Sequence, residues 1–121
     1  MTNTHINVGG HKITTNKVGQ VHEITSLESG FSGTLYWSVN NGICTVNVWN
    51  LSVTGTATNR PIYKSLPKAK QSVVQALHLG NSLYGDWYII AGTTQINLNN
   101  YIVGGMYASL TYPVADDWVE S

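Results

Sequence analysis

Charge is scarce in this chain. Six Lys plus Arg and six Asp plus Glu occur among 121 residues, for a formal net charge of zero. There is no basic field to draw in nucleic acid and no polybasic stretch to hold an anionic membrane, so neither partner is expected. Cysteine is nearly absent as well. Cys44 stands alone, which excludes an internal disulfide and suits assembly in a reducing cytoplasm, with the thiol read as a small buried apolar group. Long hydrophobic runs are missing. None reaches the roughly 18 to 20 residues of a membrane helix, so no membrane insertion is expected. None near the start resembles a secretory signal, so export by lysis or as part of a particle is the expected route out of the producing cell.

What is abundant is neutral and polar. The chain holds 13 Thr, 12 Asn, 12 Gly and 10 Ser, the chemistry of strands joined by turns rather than of long helices. Its length fits one domain with a real core. A 42% hydrophobic share with so few charges leaves much neutral surface, which copies of the same chain would cover. An oligomer is therefore expected.

Residues 1–30 carry three of the four His and little apolar content, and read as an N-terminal arm or connector. Val18, Val21, Ile24 and Leu27 recur every three residues there, but β-branching and Gly19 weaken a helix. His5 and His11 could meet symmetry mates on a three-fold axis and hold a metal. Solvated or hydrogen-bonded imidazoles are the commoner outcome, and no metal is assigned.

From Phe31 onward the pattern is β. Leu35 to Val39 and Ile43 to Val53 flank Asn40-Asn41-Gly42, a hairpin signal because Asn and Gly tolerate positive φ. Thr54 to Pro61 reads as a loop and Ile62 to Ser65 as a short strand. Val73 to Leu79, Leu83 to Ile90, Gln95 to Leu98, Tyr101 to Val103 and Met106 to Tyr112 follow, separated by turn residues. The spacing predicts an all-β antiparallel sandwich, jelly-roll-like, of about eight to nine short strands over residues 31–121 with a short C-terminal tail. Within Ile43 to Val53 the apolar beat changes phase. Cys44, Val46 and Val48 keep one parity, and Trp49, Leu51 and Val53 keep the other. A bulge or a change of sheet between Val48 and Trp49 is the simplest cause.

Catalytic signatures are missing. The only close acidic pair, Asp116-Asp117, lies in the tail, no Gly-x-Ser-x-Gly elbow occurs, and "VGG" appears twice without a helix to follow. No enzyme activity and no cofactor are expected. Aromatic residues among amides carry the stronger signal. "NSLYGDWY" concentrates Asn81, Tyr84, Asp86, Trp87 and Tyr88, and "TTQINLNNY" adds Gln95, Asn97, Asn99, Asn100 and Tyr101, of which Asn99 and Tyr101 join the first five as candidates. Aromatic rings stack on the C–H faces of sugars while neighbouring amides and carboxylates bond the hydroxyls. Those seven residues form the candidate saccharide site. Alternation buries about half the rings of any strand, so core or subunit contact is the competing role for each.

The order "FSGTLYW", "NNGICTVNV", "SLPKA", "YGDWYI" and "YASLTYPVA", spanning about Phe31 to Ala115, resembles the C-terminal receptor-binding head domains of bacteriophage tail fibres, of the type found in phages and prophages of Gram-positive hosts. The resemblance implies a homotrimeric β-sandwich head at a tail tip, made in the bacterial host cytoplasm and carried in the virion. It implies binding of host cell-wall or capsular polysaccharide without covalent chemistry, and attachment to other tail or baseplate proteins through residues 1–30. Other roles are a structural trimerisation or baseplate connector and, less favoured, a glycan-degrading tail enzyme or a free-standing carbohydrate-binding module.

Overall fold

The computed structural model describes residues 5–8, 11–14, 20–54, 57–79, 82–100 and 105–119. Ten strands and no helix occur among them: β1 (His5–Val8), β2 (His11–Thr14), β3 (His22–Ile24), β4 (Phe31–Asn40), β5 (Ile43–Val53), β6 (Ala57–Tyr63), β7 (Val73–Leu79), β8 (Ser82–Ile89), β9 (Ile96–Asn100) and β10 (Met106–Pro113). β1 and β2 pair as a hairpin, and the rest form two antiparallel four-stranded sheets, ordered β10-β5-β4-β3 and β6-β9-β8-β7. Alternation explains why they stack. Leu35, Trp37 and Val39 with Cys44, Val46 and Val48 face inward from the first sheet. Trp87, Ile89, Ile96 and Leu98 face inward from the second, and all belong to one buried cluster. The all-β expectation holds. From β3 to β10 connectivity is simple: among the described strands, consecutive ones stay in one sheet except at the changes of layer from β5 to β6 and from β9 to β10, whereas a jelly roll alternates.

Local chemistry sets the joints. Asn41 and Gly42 both adopt positive φ, 52° and 77°, between the paired Asn40 and Ile43, which makes the two-residue turn that matches strand twist. The phase change in β5 is a bulge. Ala108 pairs with Val48 and Met106 with Leu51, and across the other edge Thr34 pairs with Trp49 and Ser32 with Ser52, so β5 carries one extra residue against both neighbours. Asn50 takes φ 56° there. Strand β5 stays in its sheet throughout. The bulge restores Leu51 to the core, but Trp49 does not join it, contrary to the beat of Trp49, Leu51 and Val53: its ring is 63% exposed.

Two boundaries move relative to the sequence expectation. Strand β6 begins at Ala57, inside the stretch read as a loop, because Arg60 and Pro61 pair with Leu98 and Asn97 of β9. His22, Glu23 and Ile24 pair with Trp37, Tyr36 and Leu35, so β3, drawn from the segment read as a connector, is the fourth strand of the first sheet. The His22 ring stacks on Trp37 at 3.8 Å, and Trp118 meets Trp37 edge-on at 6.3 Å. The C-terminal segment is anchored too. Val114 bridges to Ala69, and Lys68 and Lys70 pair with Asp117 and Asp116 at 3.0 and 3.2 Å. The hydrogen bond from Lys68 and its charge hold the Asp117 carboxyl below its ordinary range.

Tyr112 lies opposite Cys44, fully buried, and its hydroxyl donates to the Pro67 carbonyl at 2.8 Å. Burial first, then the adjacent Cys44 thiol, pushes its pKa far above the ordinary 10.0. The unfolded chain therefore ionises this phenol before the folded one does. Its contribution to stability is complete below about pH 10 and falls above that by about 1.4 kcal/mol per pH unit as the pH rises toward the folded value. Absorbance titration of phenolate should show one tyrosine that stays protonated until alkaline unfolding, and Tyr112→Phe should remove that step.

Candidate functional site

The seven candidate saccharide residues do not stay together. Trp87 is the clearest correction: its ring is 0% exposed, at the centre of the core, and its indole nitrogen donates to the Gln75 side-chain oxygen. Gly85, Trp87 and Ile89 form the inward parity of β8, so this ring is unavailable to stack on a ligand. Tyr84 lies on β8, but its side chain is outside the described residues, as are Asn81 and Tyr101 altogether.

Asp86, Tyr88 and Asn99 do come together. The same alternation that buries Trp87 turns Asp86 and Tyr88 outward, and the buried Ile96 and Leu98 turn Asn97 and Asn99 outward on the next strand. Register then sets Asp86 opposite Asn99 and Tyr88 opposite Asn97. The outer face of the second sheet thus carries a carboxylate, a phenol and two amides in one block of four. Tyr88 is fixed by donating its hydroxyl to Asn59 Oδ1 of β6 at 2.6 Å. Asn97 is almost covered, 6% exposed, and bonded locally: Gln95 Nε2 donates to its Oδ1 at 2.6 Å, and its own Nδ2 donates to the Gln95 carbonyl at 3.4 Å.

Beside this block is a shallow recess of about 140 Å³ lined by Ser72, Val73, Val74, Tyr88, Ile89 and Ile90. Its walls are mainly apolar, and Val74 and Ile90 are exposed. Ser72 closes one end by accepting the Ala91 amide at 2.9 Å. Phenol and apolar wall can take the C–H face of a sugar, while Asp86 and Asn99 can bond hydroxyls on its rim.

Sequence reasoning missed Asn59, Ser72 and Val74 as members of this face. Asn59 is 29 residues from Tyr88, and no local pattern joins them. The burial of Trp87 was legible, because Trp87 and Ile89 share the apolar parity. Three other acids sit elsewhere: Glu28 pairs with Lys64 at 3.7 Å, and Asp116 and Asp117 pair with Lys70 and Lys68. Among the described residues no cluster of three His, Cys, Asp or Glu could hold a metal ion. His5 and His11 pair with Thr14 and Val8, not with each other, and their side chains lie outside the described residues.

Comparison with protein-family models, curated proteins and solved structures finds no match for this chain.

Proposed function

We propose that the protein is a non-catalytic adhesin of a bacteriophage tail tip that binds host cell-wall or capsular polysaccharide through the Tyr88 face. The supporting observation is the co-facial set of Asp86, Tyr88 and Asn99, with the Tyr88 phenol anchored by Asn59. It offers ring stacking and hydroxyl bonding on a surface with one carboxylate, as an uncharged polyol requires. A homotrimer with other tail or baseplate proteins held at residues 1–30 completes the picture. Three shallow sites, each weak, then act together on a repeating polymer and gain affinity through effective concentration.

Titration against bacterial wall polysaccharide tests this. Tyr88→Ala should weaken binding threefold to tenfold, up to about 1.4 kcal/mol, and Asp86→Asn by no more than that, with unchanged melting temperature. A chain that binds no wall or capsular glycan, and whose free form leaves phage adsorption unaffected, would sink the proposal.

A second function has its own support. Exposed Val74 and Ile90 beside an apolar recess also suit contact between copies or with a baseplate partner. In that case Val74→Asp would reduce the solution mass toward the 13.2 kDa of one chain, and Tyr88→Ala would leave glycan binding as it was.

A further inference from the structure

The largest exposed ring is on the other layer. Trp49 is 63% exposed and Tyr107 58%, and their rings meet at 4.7 Å with an interplanar angle of 85°. Both stand on the outer face of the first sheet, at the β5 bulge. That bulge is an elaborate device. It needs Asn50 in the left-handed region, Gly33 at φ 115° with no room for a Cβ against the Asn50 backbone, and Gly105 leaving space for the Asn50 carboxamide. Restoring Leu51 to the core accounts for the extra residue; its other consequence is that Trp49 and Asn50 are both exposed where Tyr107 crosses.

The surroundings select the ligand. Two rings at a right angle make a corner with a floor and a wall. Asn50, Asn47 and Ser109 lie around it, all exposed and neutral, with Asn47 and Ser109 paired across β5 and β10. An uncharged ring with one apolar face and a rim of hydroxyls matches that corner. A second copy of this chain matches it less well. Stable association needs on the order of 1,000 Å² with an apolar centre, whereas here two rings stand among polar neighbours.

We propose that Trp49, Asn50 and Tyr107 form a second saccharide-binding platform, on the opposite outer face of the sandwich from Tyr88. The ligand class follows the proposed function, and the site is independent of it. Two platforms on opposite faces let one chain bridge two glycan strands.

An array printed with bacterial wall and capsular polysaccharides tests this with four proteins: wild type, Tyr88→Ala, Trp49→Ala/Tyr107→Ala, and the triple variant. Each face alone should retain binding, threefold to tenfold weaker than wild type, and the triple variant should lose it. Wild type should precipitate the bound polysaccharide at a lower protein concentration than either single-face variant. Array binding by the Trp49/Tyr107 variant within twofold of wild type overturns the platform. So does a fall in its solution mass with glycan binding unchanged, which assigns the rings to a contact between copies. Complete loss in Tyr88→Ala alone overturns the second site and leaves the first. A wild type that binds nothing overturns both. Both rings are exposed, so the double variant should melt like wild type; if it does not, Trp49→Gln alone supplies the same comparison.

Discussion

Trp87→Ala should destabilise the fold by about 3–5 kcal/mol, a large part of the 5–15 kcal/mol that holds a domain of this size together. The ring is fully buried between the layers, with Ile89 on its own strand and Leu98 opposite it in register. Removing it leaves a cavity that strands on both sides, held by their ladders, cannot close. The lost hydrogen bond adds little, because Gln75 is exposed and its freed oxygen meets water. Trp87→Phe should therefore cost much less than the alanine change. Urea titration at neutral pH measures both, and the folded fraction of Trp87→Phe should bind glycan as wild type does. A Trp87→Phe chain of full stability that loses glycan binding would move this ring from the core to the ligand site.

Gly33→Ala should cost about 3 kcal/mol, while Gly42→Ala should cost only about 1. Both glycines have positive φ, 115° and 77°, so both substitutions carry backbone strain. They differ in space. A Cβ on Gly33 would lie 2.5 Å from the Asn50 carbonyl oxygen and 2.9 Å from the Leu51 Cα, which are backbone atoms of the bulge, whereas a Cβ on Gly42 meets nothing within 4 Å. Backbone cannot swing aside as a side chain does, so the sheet must separate or the bulge must unmake itself, which would turn Leu51 outward. Thermal unfolding should show a drop for Gly33→Ala roughly three times that for Gly42→Ala, at roughly 4 °C per kcal/mol. Equal drops would mean that the bulge adapts freely.

The strand chemistry, the Asn41-Gly42 turn and the irregularity after Val48 were legible along the chain, since each depends on sequential neighbours: alternation, tolerance of positive φ, and a break in parity. The inward place of Trp87 was equally local, although the polar residues beside it pointed the other way. Tertiary structure alone decided that Asn59 anchors Tyr88, that Asp86 lies opposite Asn99, that β3 joins the first sheet and that Trp49 stands beside Tyr107. Those pairs are joined by strand register and sheet order. Both are set by the collective packing of two apolar faces, a property of the whole core that no short stretch of residues contains.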